Sequence, residues 1–428
     1  MKNTILFFLS LLFVGSLMAQ QTPAAPQTQP ILITGATAHL GNGIRIENSF
    51  IAFEQGKITI VADARTVNID NSKNYKIIDA SGKHVYPGFI APNTNLGLVE
   101  IGAVRSTRDF AEVGQLNPSI RSIIAYNTDS RVTPTVRSNG VLMAQVTPQG
   151  GRVSGQSSVV VLDAWNWEDA AYRTDDGIHL NWPRVFTRRW GGTSVETSKN
   201  KNYAEQIRAI EDLFKEAQAY VEKQKVDPKN LKLEAMRGLF DQSKNLYVHT
   251  QDAKTIMEAT LLAEQFGMRI VIVGGRDSWM ITDFVKEHQV PVILRQSLSL
   301  PGRIDADIDQ PYKTAKLLQE AGILFAFSVG GGWQQRNLPF HAGHSVAFGL
   351  DYEAAISGLT LNTAKILGVD KTTGSIEKGK DASLFICEGD ALDMRTCKVV
   401  QAFIQGREID LDNKQKALYR KFQDKYGE

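Results

Sequence analysis

The run Val85-Tyr86-Pro87-Gly88-Phe89-Ile90-Ala91-Pro92-Asn93-Thr94-Asn95-Leu96-Gly97-Leu98 reads as a hinge, a short apolar strand and a polar triplet at the strand's end. Pro87 withholds a backbone donor and Gly88 loosens the backbone, so the dipeptide ends whatever sheet precedes it. Phe89-Ile90-Ala91 then opens a new buried strand, and Asn93-Thr94-Asn95 falls where that strand gives way to a loop.

Working outward, the chain on the N-terminal side is β-rich. Ile31–Thr34, Ile44–Ile46, Ser49–Phe53 and Lys57–Val61 are short strands punctuated by Gly41-Asn42-Gly43 and Gln55-Gly56, and Ile77–Val85 leads into the hinge. On the C-terminal side the pattern becomes α/β. Asn117–Arg121 and Asn139–Pro148 read as the second and third strands, and Gly150–Leu162 as a Gly-rich loop followed by a fourth strand. The Gly-rich part has no P-loop Lys-Ser/Thr ending and reads as a tight loop. Asn202–Lys223 carries Ile207, Ile210, Phe214, Ala217 and Val221 at helical spacing. Strands at Asn245–Thr250, Arg269–Gly275, Val290–Gln296 and Ile323–Gly330 then alternate with helices, the signature of a parallel sheet. Asp252 and Asp277 read as helix caps.

Composition bounds the function. With 428 residues, 43% hydrophobic, the chain can bury a large core. Its 48 basic and 46 acidic residues leave a net charge of +2, so no electrostatic footprint for nucleic acid exists. Met1–Ala19 has Lys2, an apolar run from Ile5 to Val14 and small residues before Gln20, as a secretory signal does. The mature protein is therefore expected to be exported, periplasmic or extracellular, with no membrane attachment once the signal is removed. Residues 20–30 read as a disordered spacer. Cys387 and Cys397 are the only cysteines, and both a disulfide and two buried thiols fit them.

The hinge with its polar triplet, the segment Ile77–Ile90, and the C-terminal runs Leu361–Gly368 and Thr373–Leu384 together resemble the amidohydrolase superfamily, in its imidazolonepropionase-like branch. The resemblance covers about Ile31 to Ile409. It implies an α/β fold, a (β/α)8 TIM-type barrel over 87–365, with a small composite β-sandwich domain built from 31–86 and 366–410. Residues 411–428 are left as a helical tail. By the same resemblance the activity is hydrolysis of C–N bonds in small amides or peptides, using zinc or another divalent metal held by His-x-His on the first strand, a Lys or Glu on the fourth, histidines on the fifth and sixth and an Asp on the eighth.

At the matching positions this chain has Asn93 and Asn95, Val160-Val161-Leu162, His249, Gly274-Gly275 and Ser328-Val329-Gly330. Amide oxygens are poor substitutes for imidazole or carboxylate ligands. The expectation is an eroded metal centre with no metal cofactor, His249 as the one candidate acid or base, and a ligand pocket formed by Asn93, Asn95, Gln156, Arg295 and Ser328. Arg295 on a barrel strand implies either a salt bridge or an anionic ligand. His341 and His344 read as packing residues, and His39, His84, His179 and His288 have no partner pattern. Two function classes stay open: a secreted C–N hydrolase, and a metal-free pseudoenzyme that binds a small molecule or partners an active paralogue or a second copy of itself.

Overall fold

A computed structural model describes residues 22–67, 73–191, 194–223, 226–303 and 305–427. The signal-peptide expectation for Met1–Ala19 lies outside the described residues. Among the described residues no helix is long and apolar enough to cross a membrane.

The N-terminal β segment forms β1 (Ile31–His39), β2 (Arg45–Glu54), β3 (Lys57–Asp63), β4 (Lys76–Asp79) and β5 (His84–Pro87). The second sheet contains β6 (Phe89–Thr94), β7 (Val141–Val146), β8 (Val153–Val161) and β9 (Ala171–Asn181). After the separate hairpin β10 (Phe186–Gly191) and β11 (Ser194–Lys199), it continues with β12 (Asn245–Thr250), β13 (Ile270–Gly274), β14 (Val292–Arg295) and β15 (Phe325–Ser328). The chain ends in β16 (Leu384–Glu388), β17 (Lys398–Ile404) and β18 (Arg407–Glu408), followed by the helix Lys414–Tyr426.

Both chain ends share one eight-stranded sheet in the order β18-β17-β16-β5-β1-β2-β3, with β4 on β1. The joint is β16 against β5, antiparallel, from Leu384↔Pro87 to Cys387↔His84. Phe53 and Phe403, from opposite ends of the sequence, meet edge to face at 5.1 Å in its core. Gly88 then turns the chain into the second sheet at a point where a Cβ would meet Leu142 Cδ1 at 2.8 Å, so only glycine fits the hinge without displacing β7. Within the stretch expected as a disordered spacer, Ala24 and Gln27 bond to the folded part of the chain. Gln27 bonds Phe53 O and Gly56 N, and the Ala24 N–H donates to the buried Asp163 carboxylate, which also accepts from Arg137 and Arg407. A buried carboxylate requires several donors, and the N-terminal segment supplies one of them.

The second sheet also has eight strands, in the order β15-β14-β13-β12-β9-β8-β7-β6, and nearly closes with β15 beside β6. Helices such as Tyr203–Val221 and Ala253–Gln265 pack outside it. One strand departs from the parallel pattern: β8 is antiparallel to both β7 and β9. The reason is the connection. Residues 147–152 are too few for a crossover, which takes a dozen or more, and Gly150 and Gly151 at φ +89° and +63° make them a hairpin. Asn117–Arg121, expected as a barrel strand, is not one: Arg121 makes an isolated bridge to Gln156, and Leu116 just before the stretch makes one to Val153. The strand count therefore shifts, and the fourth strand is β9.

Candidate functional site at the barrel mouth

In a barrel of this kind the functional groups stand at the C-terminal ends of the parallel strands. Because β8 is reversed, Val160-Val161-Leu162 lies at the far end from that mouth and is not the fourth-strand position. On β9 that position is occupied by His179, which is fully buried and in register with Tyr247 of β12. His179 Nδ1 and His249 Nε2 form a hydrogen bond at 2.9 Å, and the His179 ring stacks on Tyr247 with centroids 4.7 Å apart. The sequence assigned His179 no partner; the fold gives it the one histidine the sequence singled out. The signal was present in Gly177-Ile178-His179-Leu180-Asn181, where apolar residues alternate as in a strand.

Beneath the pair lies a buried polar column. Asp176 accepts from Tyr247 OH at 2.6 Å, Ser157 Oγ at 2.7 Å and Gln145 Nε2 at 2.8 Å. Asp175, at φ +52° beside a register irregularity against β8, is a bulge residue, and bulges re-aim the side chains beside them. Burial raises the Asp176 pKa, opposed by its three donors, and pushes the Tyr247 hydroxyl well above its ordinary value. Burial first and Arg295 second lower His249 to about 4. Burial, then His249, hold His179 well below its usual range. Both imidazoles are therefore neutral at pH 7, and one donates to the other.

Asn93 adopts φ +53°, a backbone that asparagine tolerates better than most side chains, and its N–H donates to Gln145 Oε1 at 3.0 Å. Phe327 packs outward against Gly358, so Ser328 faces into the barrel. Arg295, in register with Ser328, faces the same way. Gln156 does not belong to this group. It alternates with the inward Ser157 and accepts from Lys244 Nζ, which also donates to Ala235 O in the helix Leu231–Phe240 on the outer surface. Of the expected pocket, the fold assembles Asn93, Asn95, Arg295 and Ser328 with His249, and removes Gln156.

Three buried polar atoms of this group have no hydrogen-bond partner among the described residues: His179 Nε2, Asn95 Oδ1 and Ser328 Oγ. Buried polar atoms without a protein partner are satisfied by water or by a ligand, and here three of them share the barrel mouth. A catalytic divalent metal is a poor fit. The mouth offers two imidazoles already bonded to each other, two amides and a hydroxyl, and the described residues contain no group of three His, Cys, Asp or Glu arranged for a metal. The sixth-strand histidine position is sterically closed as well. A Cβ at Gly274, φ +113°, would lie 2.6 Å from Thr250 O, and one at Gly275 would lie 2.6 Å from Val292 Cγ1.

Asp252 and Asp277 do not cap helices with their side chains; both pair with Arg276. Arg276, Asp277, Met280, Arg303 and Asp307 line a cavity of about 190 Å3 beside the β13 and β14 loops. Its charged groups are matched within the protein, Arg303 by Asp305 and Asp307 by Lys313, so it lacks the unpaired atoms of the mouth. His341 accepts from the Leu298 N–H at 3.1 Å and secures the loop after β14, a packing role.

The amidohydrolase family pattern matches residues 154–409. No curated protein matches the chain by sequence. Among solved structures, an amidohydrolase from Thermotoga maritima MSB8 is similar at 23% identity and TM-score 0.77, covering 89% of this chain and 99% of the other. A Xaa-Pro dipeptidase with bound methionine is similar at 15% identity and TM-score 0.54, covering 89% and 100%. An adenosine deaminase from Xanthomonas campestris with bound zinc is similar at 14% and 0.54, covering 94% and 99%. At these identities the likeness is one of fold. The family match, spanning more than half of the 428 residues, is what shows that this chain belongs to the amidohydrolase family.

Proposed function

We propose that this chain is an exported, metal-free member of the family, of the imidazolonepropionase-like branch, whose barrel mouth binds a small amide-type molecule. The observation that carries the reading is the donor set. His179 and His249 bond each other, Asn93 and Asn95 stand where the family has histidines, and Thr250 O and the Val292 side chain crowd any side chain placed at Gly274 and Gly275 respectively. The unpaired His179 Nε2, Asn95 Oδ1 and Ser328 Oγ supply binding contacts in place of ligation.

A second reading, hydrolysis of a C–N bond, is favoured by family membership and by the hydrogen-bonded imidazole pair. Against it, an imidazole lowered to about 4 is a weak base at neutral pH. The test is amine release from a panel of small cyclic amides and dipeptides, with and without added zinc, manganese or iron. The binding reading expects no turnover that depends on His249; turnover abolished by His249→Ala replaces it with the hydrolase. Export belongs to the same proposal, and N-terminal sequencing of the mature protein should begin near Gln20.

A further inference from the structure

The helix Lys414–Tyr426 buries none of its residues, whereas Tyr203–Val221 buries Ile210, Leu213, Phe214, Ala217 and Tyr220 against the barrel. Its root is fixed all the same. The Asn413 side chain accepts from the Lys416 N–H at 2.9 Å and donates to Ser138 Oγ at 3.2 Å, and Thr135 Oγ1 donates to Gln415 Oε1 at 2.9 Å. Thr135 belongs to the helix Thr133–Arg137, which leads into the start of β7, at the end of the barrel opposite the mouth. A helix of this length is marginal in water and ordinarily gains its stability by packing an apolar face.

Such a face exists here and packs on nothing within the chain. Leu418, Tyr419, Phe422 and Tyr426 are 42% to 68% exposed. At the helical repeat they fall within about 100° of arc, a single stripe along one side. Three of the four are aromatic, and the Phe422 and Tyr426 rings stack with centroids 6.4 Å apart. Tyrosine couples an apolar ring to a hydroxyl that stays hydrated, which suits a boundary between hydrocarbon and water.

Charge flanks the stripe on both edges. The helix carries five basic residues and one acid, Asp424, while the whole chain is only +2, so the rest of the chain is net acidic. On one edge Arg420 pairs with Asp412 and Lys416 donates to Leu411 O, both in the segment just before the helix. Lys414, Lys421 and Lys425 line the other edge, with Lys425 Nζ 5.2 Å from the centroid of the Tyr426 ring, and have no acidic partner among the described residues. Asp424 falls on the side away from the stripe. Two copies packed stripe to stripe would set these basic edges against each other, which disfavours a second copy as the occupant. A surface that is apolar beneath and anionic at its rim matches the stripe and its edges together.

We infer that this helix rests on the surface of an anionic phospholipid bilayer, with Leu418, Tyr419, Phe422 and Tyr426 at the headgroup boundary and Lys414, Lys421 and Lys425 against lipid phosphates. The contact is peripheral and reversible, and at this face the expectation of no membrane attachment gives way to it. It is independent of what the barrel mouth binds.

The test is co-sedimentation of the full mature chain with vesicles of phosphatidylcholine containing phosphatidylglycerol, beside vesicles of phosphatidylcholine alone. The expected result is binding to the anionic vesicles, at least about tenfold weaker on the neutral ones and weakened in the same way by raising salt from about 0.1 M to about 0.5 M. Lys414→Gln, Lys421→Gln and Lys425→Gln combined should lower the affinity at least about tenfold, and Phe422→Ser should do the same. Thermal unfolding should not move in either variant, since none of these side chains is buried. Equal binding to both kinds of vesicle, or unchanged binding in either variant, overturns the inference. Absence of vesicle binding also overturns it, and a dimer in sedimentation velocity that Phe422→Ser disperses would then assign the stripe to a second copy.

Discussion

His39 and His84 face each other at 3.1 Å in the sheet shared by the chain ends, as His179 and His249 do at 2.9 Å in the barrel, yet the two pairs end differently. His39 donates through Nδ1 to Glu353 at 2.7 Å and stacks on Tyr86 at 4.5 Å, so both its ring nitrogens are engaged. Its contact with Glu353 ties β1 to the helix Tyr352–Leu359 outside the barrel. His179 has one nitrogen bonded and the other buried without a partner among the described residues, and the nearby charge on its pair is a cation. A histidine pair closed by a carboxylate serves the fold. One left open at a barrel mouth is what the proposed binding reading rests on.

The largest expected effect concerns what supports the open pair. Asp176→Ala strands the donors of Gln145, Ser157 and Tyr247 in the interior, and should cost about 3–5 kcal/mol in urea unfolding. A loss below about 1 kcal/mol would mean the column does not hold the site. Next comes the neighbourhood of the closed pair. Cys387, in register with His84, has its sulfur 4.0 Å from that of Cys397, both being thiols. Oxidation by glutathione disulfide should join them, lowering the mass by two hydrogens and adding about 2–3 kcal/mol. Thiols that stay open to alkylation after that treatment refute it.

His39→Phe should cost about 1–3 kcal/mol, since Glu353 and His84 both lose a partner, and should leave the His249 titration unchanged. A His249 shift in that variant would mean the two pairs are coupled. The smallest effect is on charge. Because the Arg295 cation disfavours the imidazolium, Arg295→Gln should raise the His249 pKa from about 4 toward the ordinary 6.5, read by NMR titration. The sign for stability follows from the lowered value. The unfolded chain takes up this proton first, so the contribution is complete above pH 6.5 and is lost as pH falls toward about 4.

Much of the scaffold was legible because its signals are local. Pro87-Gly88 marked the hinge, and apolar runs separated by helical periods gave β12 through β15 within a residue or two. What failed was register in three dimensions. The hairpin at Gly150-Gly151 reverses β8 and moves the fourth-strand position from Leu162 to His179, a change that depends on connection length rather than on any motif. Asp176 was illegible for a related reason: a bulge at Asp175 interrupts the alternation by which inward residues are recognised. Gln156 was misplaced by the same reversal, since its neighbour Ser157 takes the inward face.

The central claim is that the open histidine pair binds without a catalytic metal. Zinc, manganese and iron per chain, measured by plasma mass spectrometry on protein purified without chelator and beside His249→Ala, test it most directly. The account predicts amounts well below stoichiometric and the same in both proteins. One metal per chain in the wild type, absent from His249→Ala, contradicts it.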